Sequence, residues 1–279
     1  MTANGEQLPT VVIGAGVIGL GIAFRLARQI PDVVLIERGQ PGMAASYGNA
    51  GHIATEQVFP LASPGTMLNA PKLMLSKNRA LSVRPGYAVK ALPWLTRFAW
   101  ASRPGSYRRG TAALTSLQRK ALSSLEALCA DAGIPGHLHK RGHLILVESA
   151  QNVGPARKQL MTMQEHGINA SWLEPTNVRD LAPELGQVGG GIHVHDSAHV
   201  SDPLAVCHGL LDAFVSDGGR FETDEVRQIE RIGHGRYRLT LSDGEFEAGR
   251  VIISAGAWSR QLARQVGFDV PLDTERGYH

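Results

Sequence analysis

A chain of 279 residues with 43% hydrophobic content is long enough to bury a substantial core and to build two lobes. Its 28 basic and 25 acidic residues leave a formal charge of only +3, too small and too dispersed to suggest a nucleic-acid partner. Cys129 and Cys207 stand far apart and in no CxxC or Cys/His array, which suits a reducing compartment and makes neither thiol a strong candidate for chemistry.

The first ten residues are polar and carry no secretory signal, and the apolar run from Val11 to Phe24 is too short to span a bilayer, so a cytoplasmic protein is expected. That run has another explanation. Val11-Val12-Ile13 reads as a strand, Gly14-Ala15-Gly16-Val17-Ile18-Gly19 as a glycine turn opening a helix, and Val34-Leu35-Ile36-Glu37 as a second strand ending in an acid. Gly14 permits the tight turn, Gly16 lets the backbone approach a pyrophosphate, and Gly19 allows close packing of the helix on the sheet. Phosphates would sit on the N–H groups of the helix N-terminus. Ile18, Ile22, Leu26 and Ile30 recur every four residues, with Ala23 and Ala27 between them, and suggest the inward face of that helix. Glu37 follows Gly19 by eighteen residues, where a carboxylate can accept both hydroxyls of an adenosine ribose and would repel a 2′-phosphate. The fingerprint speaks for a dinucleotide and against NADP, and leaves NAD and FAD open.

Ala45-Ser46-Tyr47-Gly48-Asn49-Ala50-Gly51-His52 is a small-residue loop, able to approach a flat ligand but equally readable as an ordinary connection. Less patterned sequence follows from about residue 60 to 200. Tyr87 to Trp100 mixes aromatics with isolated basic residues; a membrane-surface contact would suit it, although Pro93 is expected to interrupt the helix and core packing of the aromatics is the simpler reading. Leu114, Leu117, Ala121, Leu125 and Leu128 predict one amphipathic helix ending near Gly133, and Arg141 to Glu148 predicts a strand. His193, His195 and His199, with Asp196 and Asp202, could in principle hold a metal, but a solvated loop after Gly189-Gly190-Gly191 explains them, and no metal is expected.

Asp202 before Pro203 forms an N-cap and N1 pair for a helix with Leu204, Cys207, Leu211 and Phe214 on one face, ending at Gly218-Gly219. Four β segments are predicted next: Arg220 to Val226, Gln228 to Ile232, Tyr237 to Leu241 and Glu245 to Ser254, with turns at Gly233-His234-Gly235 and Ser242-Asp243-Gly244.

The fingerprint, the Ser46-to-Gly51 loop and the segment Val251-Ile252-Ile253-Ser254-Ala255-Gly256-Ala257-Trp258-Ser259 together resemble the FAD-dependent D-amino acid oxidase superfamily, bacterial D-amino acid dehydrogenases in particular. Ala23 supplies the small residue that this family's long FAD fingerprint requires. The β segments after residue 220 resemble the β-meander of FAD-type Rossmann lobes, which disfavours a simple NAD enzyme. The resemblance implies an α/β fold, with an FAD-binding Rossmann-type lobe bearing the β-meander (1–60 and 192–268) interleaved with an α+β substrate lobe (61–191 and 269–279).

It also implies the site. The cofactor contacts would be Gly14, Ala15, Gly16, Val17, Ile18, Gly19, Glu37 and Arg38 for the adenosine and phosphates, with Val226, Ala255 and Gly256 beside them. Ser46, Asn49, Ala50, Gly51 and His52 would be neighbours of the flavin ring. Relatives tend to carry Gln at position 52; a histidine there could hydrogen-bond the flavin or link to it covalently. Tyr278, and more weakly Arg276 and His279, resemble the start of the active-site sheet and are candidates to face substrate. No catalytic acid or base is assigned.

The implied reaction is oxidative deamination of a D-amino acid to a 2-oxo acid and ammonia, with hydride passing from the α-carbon to flavin N5 and electrons going on to a quinone or other acceptor. Such a protein could sit peripherally at the inner face of the cytoplasmic membrane. The alternatives are a glycine- or sarcosine-type amine oxidase that uses oxygen, and a non-catalytic FAD-binding fragment or subunit. Relatives continue well past residue 279, so the chain is expected to be incomplete at its C-terminus; its oligomeric state is left open.

Overall fold

The computed structural model describes residues 8–75, 85–233 and 235–274. They fall into two compact units, one of residues 1–52, 125–139 and 199–279 and the other of 53–124 and 140–198.

The chain opens with β1 (Thr10–Ile13), α1 (Val17–Ala27) and β2 (Val33–Glu37), then a loop and the short strand β3 (His52–Ile53). Three helices follow, α2 (Pro64–Leu75), α3 (Pro85–Ala101) and α4 (Pro104–Gln118). Next come α5 (Ala121–Asp131) and β4 (Leu138–His139), then β5 (His143–Val147), α6 (Val153–Glu165), β6 (Ala170–Leu173), α7 (Pro175–Leu181) and β7 (Gly190–Val194). The last part holds β8 (Ala198–Val200), α8 (Pro203–Ser216), β9 (Arg220–Thr223), β10 (Gln228–Gly233), β11 (Arg236–Thr240), β12 (Glu245–Ala248), β13 (Arg250–Ile253) and α9 (Ser259–Gln265).

The first unit is built on a parallel sheet of order β13-β1-β2-β9. Val11 lies between Val251 and Val34 in register, and all four residues of β1 are buried. That is what a parallel strand covered on both faces requires, and it explains the unbroken apolar run. Val11, Ile13, Val34 and Ile36 share one core with Ile229, Leu239 and Ala248 of the antiparallel β10-β11-β12 sheet and with Leu262 of α9. On α1, which packs on β1, β2 and α8, the buried residues are Gly19, Leu20, Gly21, Ala23 and Phe24. The Ile18 face anticipated from the four-residue spacing is not the inward one, since Ile18 is 66% exposed. Four-residue steps overshoot one turn by about 40° each, so a long i+4 series spirals off the face it begins on.

Three other expectations are corrected. β9 pairs in parallel with β2, and so belongs to the main sheet rather than to the meander, which has three strands. The strand expected from Glu245 to Ser254 is two: β12 pairs with β11, the chain turns at Gly249, and β13 then pairs with β1. The helix expected across residues 114–133 is broken at Arg119 and Lys120 into α4 and α5, with Leu117 exposed. The Asp202 cap forms as anticipated, its carboxylate accepting the Leu204 and Ala205 N–H groups at 3.0 Å each.

In the second unit, an antiparallel sheet of order β5-β7-β6 buries Ala170, Ile192 and Val194 against Leu160 and Met163 of α6. α3 continues through Pro93 without a break, and its tryptophans Trp94 and Trp100 are exposed rather than packed in a core. No helix among the described residues is long and apolar enough to cross a membrane.

Cys129 and Cys207 are both buried and unpaired with each other. Burial pushes both thiols above the usual cysteine range, opposed at Cys207 by a hydrogen bond with Ser46. The thiolate is the reactive form, so neither cysteine of the native protein is expected to be alkylated by iodoacetamide at mildly alkaline pH, while both react after denaturation. Mass spectrometry of the alkylated protein reads this directly; rapid labelling in the native state would contradict it.

Candidate cofactor site

The end of β1 shows why glycine is needed at two positions of the turn. Gly14 has φ of 102°, and a Cβ there would lie 2.6 Å from the Ser254 carbonyl oxygen and 2.8 Å from Ala255 Cα. A Cβ on Gly19 would overlap the Gly14 carbonyl oxygen and stand 2.9 Å from Ser254 Oγ. Ser254 is itself fixed on β1, its N–H donating to the Ile13 carbonyl at 2.9 Å and its hydroxyl to the same oxygen at 3.1 Å. The segment after β13 is thus wedged against the turn, a contact between residues some 240 positions apart that local sequence could not announce.

Gly16 differs from both. A Cβ there would meet only Ser46 Oγ, at 3.3 Å, so the turn is open on its remaining side. Gly16 is the N-cap of α1, and the first N–H groups of any helix lack intrahelical acceptors. Ser46 Oγ accepts the Val17 N–H at 3.0 Å. The others form a donor set suited to an anion, reinforced by the positive end of the helix dipole.

At the end of β2, Glu37 accepts the Ala15 N–H on Oε2 at 2.8 Å and the Gly39 N–H on Oε1 at 3.2 Å. A carboxylate has about four lone-pair sites, so both oxygens keep capacity for hydroxyl donors. Arg38 lies with its guanidinium carbon 3.9 Å from the ring centre of Trp258, and its Nη1 is 3.9 Å from Glu225 Oε1. Val226, next to Glu225, is buried, and Gly256, two residues before Trp258, has φ of 52°. Sequence reasoning gave Trp258, Glu225 and Ser254 no part in this cluster, although each lies within two residues of Val226, Ala255 or Gly256, which it had singled out.

The loop from Ser46 to His52 is ordered from within. Asn49 donates from Nδ2 to the Ser46 carbonyl at 2.8 Å and accepts the Gly51 N–H on Oδ1 at 2.7 Å. Gly51, at φ of 65°, accepts the Val200 N–H at 2.8 Å, and a Cβ on it would collide with the Val200 carbonyl. Asn49 therefore spends its amide shaping the loop, while Ala50 stays exposed and His52 half-buried. All these residues lie in the first unit.

The histidine run is divided among other duties. His193 and His195 meet edge to face at 4.5 Å, His195 Nε2 lies 2.9 Å from Ser171 Oγ, and His199 sits 5.1 Å from His139. Asp196 accepts from Asn169 at 3.2 Å, and Asp202 is the cap of α8. Arg276, Tyr278 and His279 lie outside the described residues.

A family model described as DAO, FAD dependent oxidoreductase, matches residues 10–279. The chain belongs to this family. Among curated members it is 30% identical to a D-amino-acid oxidase of Bradyrhizobium diazoefficiens, over 98% of this chain and 66% of the relative. To a D-amino acid dehydrogenase of Vibrio atlanticus it is 26% identical, over 97% of this chain and again 66% of the relative. The chain thus spans 66% of the length of these DAO proteins. Among solved structures, glycine oxidase from Geobacillus kaustophilus superimposes with a TM-score of 0.68 at 22% identity, covering 94% of this chain and 58% of that one, a likeness of fold. The DAO cofactor is FAD, and the residues present fit such a dinucleotide: an open glycine at a helix N-terminus, an acid with spare acceptor capacity at the next strand end, and an ordered small-residue loop beyond.

Proposed function

We propose that this protein takes part in the oxidative deamination of D-amino acids to 2-oxo acids and ammonia. The observation that carries the reading is the likeness to curated D-amino-acid oxidase and dehydrogenases across 97–98% of the chain. Bound FAD would supply the two-electron acceptor for the hydride that leaves the substrate α-carbon. The imine left behind is hydrolysed by water to the 2-oxo acid and ammonia. A quinone or another acceptor would then take the electrons, and a quinone would place the protein at the inner face of the cytoplasmic membrane.

In this reading, the turn from Gly14 to Gly19 holds the pyrophosphate on the Gly16, Ile18 and Gly19 N–H groups, the N–H groups of Gly14, Ala15 and Val17 being bonded to Ile36, Glu37 and Ser46, with Gly16 giving the close approach. Glu37 accepts the ribose hydroxyls, and Arg38 and Val226 stand beside the adenine. Ser46, Asn49, Ala50, Gly51 and His52 form the wall nearest the flavin ring, and Ala255 and Gly256 approach the dinucleotide from the end of β13. Arg276, Tyr278 and His279 are the candidates to meet substrate. The work of these residues is positioning and exclusion of water, and no side-chain base is required of them.

The test is an anaerobic titration of the FAD-loaded protein with D-alanine, followed in the visible spectrum. Bleaching of the flavin bands by D-alanine is expected, with L-alanine inert. Bleaching by glycine or sarcosine in preference, with rapid recovery in oxygen, would replace this reading by an amine oxidase. A flavin that no amine bleaches would refute catalysis by this chain.

A further inference from the structure

The overall charge of +3 conceals an uneven distribution. Residues 57–124 contain 11 of the chain's 28 basic residues and none of its 25 acids, so the rest holds 17 basic against 25 acidic. That stretch lies wholly within the second unit and contains α2, α3 and α4. Every basic side chain described in it, from Lys90 to Lys120, is exposed.

Large apolar side chains are exposed on the same helices. On α3, Val89 is 80%, Leu92 58% and Trp100 61% exposed. Their separations of three and eleven residues bring them to one stripe of a helix, and Lys90 and Arg97, seven apart, share a neighbouring stripe. Trp94, also exposed, stacks on Phe98 with ring centres 5.0 Å apart, and Arg103 stands 5.7 Å from the Trp100 ring. Exposed aliphatic and indole groups interleaved with unopposed cations match neither a solvated face nor a phosphate-tracking groove, since the first has no use for the apolar groups and the second none for the aliphatic ones. They match the boundary between lipid headgroups and acyl chains, where indoles settle and anionic lipid attracts lysine and arginine.

We propose that α3, with the acid-free segment around it, is a docking surface for the anionic face of a phospholipid bilayer. The stripe of Val89, Leu92 and Trp100 would enter the headgroup boundary, with Lys90 and Arg97 against the lipid phosphates. This deepens the reading of a protein that delivers electrons to a membrane quinone, and rests on that reading only for its purpose; lipid binding can fail while the flavin bleaches with D-alanine, and the reverse.

The test uses the FAD-loaded chain and sedimentation with two kinds of vesicle, phosphatidylcholine alone and phosphatidylcholine mixed with phosphatidylglycerol. Binding to the mixed vesicles is expected, with a blue shift of tryptophan emission, and weakening as salt is raised. Each basic residue near an anionic surface strengthens partition roughly fivefold, so the double variant Lys90→Gln/Arg97→Gln should bind roughly 25-fold more weakly. Trp100→Ser should reduce binding and the blue shift together, and both variants should keep the parent's melting temperature and flavin. Equal binding to neutral vesicles, no binding to the mixed ones, or binding insensitive to both variants would overturn the proposal. So would binding to DNA or to an acidic protein by the same residues in the absence of any lipid binding.

Discussion

Gly16→Ala and Gly19→Ala are expected to have opposite signatures although both remove a glycine of the same turn. A methyl on Gly19 overlaps the Gly14 carbonyl and crowds Ser254, backbone and side chain that cannot move without separating α1 from the sheet. Overpacking of this kind costs about 1–3 kcal/mol, and the damage falls on the protein whether or not FAD is present. A methyl on Gly16 meets only Ser46 Oγ at 3.3 Å and no backbone atom, so one side chain has to shift slightly while keeping its hydrogen bond from Val17. The apo-protein should therefore melt as the parent does while FAD affinity falls by about 100-fold, the loss of roughly two charged hydrogen bonds to phosphate. Thermal melting without FAD and a fluorescence titration with FAD separate the two. If Gly16→Ala binds FAD like the parent, the pyrophosphate does not sit on this turn.

The second large effect is expected at Glu37. Its two oxygens already accept the Ala15 and Gly39 N–H groups, so the carboxylate is held in place before any ligand arrives. A pre-oriented charged acceptor for two ribose hydroxyls is worth about 1.5–3 kcal/mol per hydrogen bond. Glu37→Ala should weaken FAD by two orders of magnitude or more, and should weaken ADP by a similar factor, because ADP carries the same ribose. A variant that loses FAD but keeps the parent's affinity for ADP would show that the acid acts elsewhere. Glu37→Gln retains one acceptor and should fall between the two.

The first strand, turn, helix and second strand were readable because each obeys a local rule. The buried strand, the glycine spacing and the acid at the end of β2 all lie within 28 residues of Thr10, where short-range periodicity determines structure. Asp202 was readable for the same reason, since a cap and the helix it begins are neighbours. What escaped depends on partners distant in sequence. Alternation of apolar residues reveals a strand but not the direction of its neighbour, so β9 could not be separated from the meander strands before its pairing with β2 was known. The leucine spacing across α4 and α5 runs unbroken through Arg119 and Lys120, and it is the turn of the backbone at these two residues that makes them separate helices. Arg38 on Trp258 joins residues 220 positions apart, beyond any motif. The exposed stripe of α3 was concealed for another reason: aromatic residues at helical spacing look alike in a core and on a surface, and only burial distinguishes them.

The wedge of Ser254 and Ala255 against Gly14 has a consequence for how the protein is made. The strand–turn–helix unit emerges from the ribosome well before residues 250–254, and until they follow β1 has no partner on one side and the turn lacks its backing. At about 5–20 residues per second this interval lasts roughly ten to fifty seconds. During that time one edge of a strand that is apolar from Val11 to Ile13 stays open to aggregation or to chaperones. The sheet edge and the backing of the Gly14 turn are thus completed only late in synthesis, a window that a local strand–turn–helix reading does not reveal.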